Sequence, residues 1–262
     1  MVIDISQVKP WLISWFLASL IYDEKNITEY VTNILRMKCK FKGTDNGSEF
    51  YGVVIDEERG HAYLPYRGTD GYDSRGNFRS WANNFDIKTS GDGVEDGFQR
   101  CGDAHFNEFK HYLYGVETAS LEGHSKGAGV VPYEACLCVE NIRNLTVTVD
   151  AFANPPTGNE LFARRFNSHM EAGLISGHRW MHPGDPIASK LFRCGIPPLN
   201  GVDVLPLVEL PQLIRYKLGP AGVVNHSCFL YNASISVMMN MDPSATGWDH
   251  TLLGIIHERL VN

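Results

Sequence analysis

The sequence predicts an α/β architecture, a mostly parallel central sheet flanked by helices, built as one domain over residues 1–262. Three observations predict it. Gly123-His124-Ser125-Lys126-Gly127 lies between a strand-like run, 116–121, and a helical stretch, 128–140. From residue 117 to residue 185, strand-like and helix-like segments alternate, the pattern left by β-α-β crossovers in a parallel sheet. Ahead of them, three short strand-like pieces, 37–42, 49–56 and 61–66, are close enough in sequence to be antiparallel neighbours.

A first helix is expected over 4–22. Ser6 can cap it, Pro10 fits only its first turn, and Val8, Leu12, Phe16 and Leu20 fall on one face. Asn26 can cap a second, short helix to Arg36, with Glu29 three residues on as in a capping box. The three strands follow, separated by the turn signals Asp45-Asn46-Gly47 and Glu58-Arg59-Gly60, and the third ends in Arg67-Gly68-Thr69-Asp70. Residues 70–84 are polar, with Tyr72, Phe78 and Trp81 spaced through them; they read as a surface loop or as a mobile flap beside a site. Gly97-Phe98 opens a helix that runs to Tyr114. In the helix after the serine, Pro132 is expected in the first turn, because an interior proline removes a backbone hydrogen bond. A strand over 145–151, a loop over 154–159, a helix over 160–172 and a strand over 178–182 complete the alternation. Residues 187–220 are rich in proline and leucine with little periodicity. The runs 216–218, at the end of that region, and 226–231 are candidate strands, and 251–259 is a candidate last helix.

At 262 residues the chain can bury a large core. It is 44% hydrophobic and 20% charged, as ordinary globular proteins are, and its formal net charge of −7 argues against a nucleic-acid groove. No run approaches the length of a transmembrane helix. The richest apolar stretch, 11–22, is too short to span and lacks the basic start and small-residue cleavage site of a secretory signal, so a cytoplasmic location is expected. Cys39, Cys101, Cys136, Cys138, Cys194 and Cys228 show no zinc-ligand spacing and read as reduced thiols; no metal or organic cofactor is expected.

A serine hydroxyl is a poor nucleophile near neutral pH. It needs a base within hydrogen-bond reach, and the base needs an orienting carboxylate. Ser125 is followed by Asp185, in Pro-Gly-Asp-Pro after a strand, and then by His250, before the last helix. All three fall at element ends, where chemistry on a parallel sheet is placed. Asp185 also suits a plain turn, and His250 a helix cap beside Asp249. Asp150 is the competing acid, His226 the competing base, and His257 falls inside the last helix. Acyl transfer further needs two donors for the oxyanion. The N–H of Lys126 follows the serine, and the N–H of Thr69 ends an early strand.

Taken together, these segments resemble the class 3 lipases, the fungal-lipase-like branch of the α/β-hydrolases. Arg67-Gly68-Thr69 is similar to the family's oxyanion loop, and 81–85 to its Trp-x-x-Asn-hydrophobic segment. Gly97-Phe98 matches its Gly-Phe pair, with Asp96 in place of the usual histidine. The elbow is 123–127, the Pro and Gly-Asn loop is 155–159, the His-x-x-Asp segment is 182–187, and the terminal Asp-His pair is Asp249-His250. The resemblance implies an α/β-hydrolase fold with Ser125 as nucleophile, Asp185 as orienting acid, His250 as base, and Thr69 and Lys126 as oxyanion donors. It also implies a serine hydrolase of acylglycerol or lipid-type carboxylic esters, working through an acyl-enzyme and touching lipid interfaces transiently.

Two features depart from the family. Lys126 stands where the best-known lipases carry an apolar residue; it either lies near the pocket and favours anionic or polar esters, or points to solvent. The interval from Thr69 to Trp81 is more polar than a helical lid, which favours an esterase on smaller or dispersed substrates. A phospholipase, a short-chain esterase or thioesterase, and a catalytically silent binding module are the alternative readings.

Overall fold

Among the described residues seven strands form one sheet, and they lie side by side in the order in which the chain makes them. The computed structural model describes residues 10–43, 49–68, 89–182, 185 and 202–204. Strands β1 (Lys38–Gly43), β2 (Phe50–Asp56) and β3 (His61–Tyr66) are antiparallel, as their short turns require. From β3 onward the pairing is parallel, through β4 (Thr118–His124), β5 (Thr146–Phe152), β6 (Ile175–Met181) and β7 (Val202–Val204). The expected alternation therefore builds the parallel half. Strand β7 does not stand out in the sequence, because three residues are too few to show a period. The candidate elements at 216–218, 226–231 and 251–259 lie outside the described residues, as do Ser6 and Val8.

Helices α3 (Asp96–Phe109), α4 (Lys126–Asn141) and α5 (Glu160–Glu171) cover one face; α1 (Pro10–Leu20) and α2 (Ile27–Asn33) cover the other. Under the first layer, Leu64, Leu121 and Val149 of the sheet meet Phe98, Phe106 and Phe109 of α3, Val130 and Ala135 of α4, and Phe162 and Phe166 of α5. Under the second, Ile13, Phe16 and Leu17 of α1 and Val31 of α2 meet Phe50, Val54 and Tyr63. Burying each such side chain contributes about 1.5–3 kcal/mol. Pro10 opens α1, as its missing N–H demands.

Two expectations at helix starts are corrected. Asn26 precedes α2 but does not cap it: its backbone is already helical (φ −110°, ψ −15°), and capping needs an extended residue. Its amide donates instead to both carboxylate oxygens of Asp23, at 3.1 and 3.0 Å. Pro132 is not in the first turn of α4 but in its interior, because the helix begins at Lys126, directly after the serine. The carbonyl of Ala128, which loses its N–H partner to the proline, accepts from the side-chain amide of Asn154.

A second proline is accommodated in the same way. Arg67 N–H donates to Phe50 O at 2.9 Å, and Tyr51 faces Tyr66, so the next hydrogen-bonded pair would join Gly52 to Pro65. Pro65 has no N–H to give. The ring of His105, on α3, supplies the contact from Nε2 to Gly52 O at 3.1 Å. A carbonyl only accepts, so Nε2 carries its proton, and Nδ1 meets Glu134 Oε2 of α4 at 2.7 Å.

Cys39, Cys101, Cys136 and Cys138 are free thiols, and burial pushes Cys101 up to about 11 and Cys136 up to about 12. Cys194 and Cys228 lie outside the described residues. Among the described residues no helix is long and apolar enough to cross a membrane, and no group of three or more His, Cys, Asp or Glu is placed to hold a metal ion.

Candidate active site

Ser125 occupies the single residue between β4 and α4. Its backbone is left-handed, with φ 59° and ψ −122°, a conformation that costs a non-glycine residue about 1–3 kcal/mol. The surroundings hold it there. Its N–H donates to Phe152 O at 3.0 Å, and its carbonyl accepts from Gly129 N–H at 3.1 Å. The flanking glycines are required by contact: a Cβ on Gly123 would lie 2.4 Å from the Gly127 carbonyl carbon, and one on Gly127 would lie 2.2 Å from Tyr66 O. Strand and helix can make so sharp a turn only because both positions lack side chains. The Ser125 side chain does not cap the helix that it precedes.

The loop after β3 rests directly on this serine. A Cβ on Gly68 would lie 2.3 Å from Tyr22 Oη, 2.5 Å from His124 O and 3.1 Å from Ser125 Cβ. Arg67 is buried beside it and pairs with Glu24. From the other side, Tyr22 Oη and His124 Nδ1 share a hydrogen bond of 3.0 Å, and the Trp15 ring packs on Phe152 with centroids 4.6 Å apart. Sequence reasoning gave no site role to Tyr22, Glu24 or Trp15. No motif marks them: Trp15 falls in an apolar helical run, and Tyr22 and Glu24 follow the end of α1.

The side chain of Lys126 neither reaches solvent freely nor stands as an unpaired cation. Its Nζ meets Glu49 Oε1 at 3.2 Å, and both side chains are less than one-fifth exposed. The Cys101 thiol donates to the same carboxylate oxygen at 2.7 Å. A cation in the first turn of a helix opposes the helix dipole, and Glu49 offsets it.

Asp185 is fully buried three residues beyond His182, and its N–H donates to His182 O at 3.0 Å past the end of β6. Burial lowers the pKa of His182, with Asp185 acting in the opposite direction. Asp150 is placed differently. It lies within β5, directly across from Glu122 on β4, and accepts from the indole N–H of Trp180 at 3.2 Å. It therefore sits inside the sheet layer rather than at the strand ends. Thr69, His250, His226 and His257 lie outside the described residues. Of the expected site residues, Ser125 and Lys126 are thus brought together with the loop that leads to Thr69.

Lipase II from Rhizopus niveus superposes on 68% of this chain and 73% of its own, with a TM-score of 0.54 at 17% identity. The fold is that of the α/β-hydrolases. A lipase from Rhizopus microsporus var. chinensis matches 70% of this chain and 68% of its own at TM-score 0.52 and 17% identity. For a triacylglycerol lipase from Penicillium expansum the shares are 72% and 75%, with TM-score 0.52 and 15% identity. No family model and no curated protein matches the sequence.

Within this α/β-hydrolase fold one pair of groups is foreign to a greasy sheet interior. Glu122 is completely buried beneath α1, two residues before the elbow, and neither of its carboxyl oxygens has a hydrogen-bond partner among the described residues. Burial, then the nearby Asp150 and Glu134, raise its pKa well above the carboxylate range. Burial thus favours the neutral form of the Glu122 carboxyl over the ionised one.

Proposed function

We propose that this chain is a serine hydrolase of carboxylic esters of the acylglycerol or lipid type. The observation that carries the reading is the left-handed Ser125 at the tip of β4, a strained conformation that fixed glycine contacts maintain. In this reading Ser125 Oγ attacks the acyl carbonyl and passes its proton to His250, which Asp185 orients. The N–H groups of Lys126 and Thr69 receive the oxyanion. The tetrahedral adduct collapses, His250 gives the proton to the departing alcohol, and an acyl-serine remains. Water then adds to the acyl carbon, losing a proton to His250, and the carboxylic acid leaves as the serine regains its proton. The close approach of Gly68 to Ser125 supports Thr69, its neighbour, as an oxyanion donor. The placement of Asp150 within the sheet, bonded to Trp180, favours Asp185 as the acid. Neutral acyl chains are the favoured substrates, because Glu49 engages the cation next to the nucleophile.

The test is hydrolysis of p-nitrophenyl esters from acetate to palmitate by wild type, Ser125→Ala, His250→Ala and His226→Ala. The first two variants should lose about a thousandfold or more in kcat, and the third should stay near wild type. Activity that survives in Ser125→Ala would sink the mechanism. The chain-length profile separates an esterase from a lipase.

A further inference from the structure

The interior proline of α4 and the loop after β5 form one device. A proline at position 132 leaves the Ala128 carbonyl without its helical donor, and the ring presses that carbonyl outward. Ala128 lies three residues after Ser125, in the turn whose N-terminal end carries Ser125 and Lys126, and it is fully buried, so water cannot complete it. The side-chain amide of Asn154, itself 1% exposed, donates to this carbonyl from twenty-six residues away. Asn154 is aimed by strain of its own. The preceding Ala153 is buried and left-handed at φ 55°, its N–H bonded to Trp180 O at 3.0 Å. On the other side Arg179 Nη2 donates to Asn154 O at 3.3 Å.

We infer that Asn154 is a positioning residue for the nucleophile. It closes the hydrogen bond that Pro132 opens, and so ties the first turns of α4 to the ends of β5 and β6. The positioning part of this inference rests on the reading of Ser125 as the nucleophile; the hydrogen-bond part does not. A proline in the first turn would have needed no such partner. A helix with an ordinary residue at 132 would have supplied its own.

The test is a double-mutant cycle on the full chain: Asn154→Leu, Pro132→Ala and the double variant, each read by melting temperature and by p-nitrophenyl butyrate kinetics. Asn154→Leu keeps the shape and removes the donor. It should lower Tm by about 5 °C. It should also lower kcat about tenfold with KM within about twofold, since the turn that carries the serine shifts while the acyl site stays. In the double variant the backbone N–H restored at position 132 reaches Ala128 O, and most of both losses should be recovered. Equal losses from Asn154→Leu in the two backgrounds would overturn the inference. If Asn154→Leu alone does not fold, the double variant should fold, and its failure would overturn the inference equally. A kcat unchanged in Asn154→Leu would refute the positioning role whatever the melting curves show. A wild type inactive on every ester would instead refute the function, with the melting cycle still deciding the hydrogen bond.

Discussion

At the scale of the residue, the site is decided by what cannot be there. Ser125 stands in a left-handed turn only because residues 123 and 127 have no Cβ to collide with neighbouring backbone, and Gly68 touches it only because it too is bare. Lys126 shows the same economy with charge. Its backbone serves the helix start, while its ammonium is led away to Glu49. Replacing Glu49 by Gln removes the charge that engages the lysine. For Glu49→Gln we predict a rise of about tenfold, or ~1.4 kcal/mol, in the preference for an anionic acyl ester such as mono-p-nitrophenyl glutarate over neutral butyrate. Adding Lys126→Met should abolish the gain. A preference that does not move in Glu49→Gln would show that the ammonium has no access to the acyl group.

At the scale of the element, strands and helices here tolerate breakers because side chains from elsewhere finish their backbone pairing. His105 completes Gly52 opposite Pro65, and its other nitrogen faces Glu134, so it joins β2, α3 and α4 at one buried point. Losing it strands a carbonyl and a carboxyl at once. His105→Leu should lower the unfolding free energy by about 3–5 kcal/mol, read from urea denaturation at constant m-value. A loss below about 1 kcal/mol would mean that water or a rearranged neighbour takes its place. None of this was visible beforehand. Pro132 reads as a first-turn residue because the apolar residues that mark the helix begin at Ala128, and Lys126 and Gly127 do not look like a beginning. The proline's true place depends on Asn154, which no local pattern links to it. Asn26 reads identically in sequence whether it caps a helix or binds Asp23; only its φ and ψ decide.

At the scale of the whole molecule, the sheet was legible because its signals are local: turn residues between the antiparallel strands, periodic switching between the parallel ones, and glycine spacing at the elbow. For the candidate acid the sequence offers both Asp150 and Asp185; what it does not show is the register by which Asp150 lies within the sheet, opposite Glu122 and bonded to Trp180. That register also sets how the fold responds to pH. Among the described residues Tyr63 on β3, Asp150 on β5 and Glu134 on α4 are the titratable groups that interact with Glu122. A buried acid whose folded pKa is raised gives its full stability below the unfolded carboxyl value of about 4.3 and loses it as pH climbs toward the folded value. Across that window each pH unit removes about 1.4 kcal/mol. Glu122→Gln cannot ionise, so its Tm should overtake that of wild type progressively as pH rises above the ordinary carboxyl range. Parallel curves for the two proteins would refute the buried proton.

The strand order carries a consequence for how such a chain is born. Among the described residues each strand from β2 to β7 pairs with the one made just before it. A nascent chain leaving the ribosome thus offers one open edge at a time, and the next strand to emerge is the one that fits it. Among these seven strands no gap is left to be filled by a latecomer. The other edge, β1, is the first to be finished. It carries Lys38, Lys40 and Lys42 at alternate positions, charges that discourage a second nascent chain on the same message from adding a strand of its own.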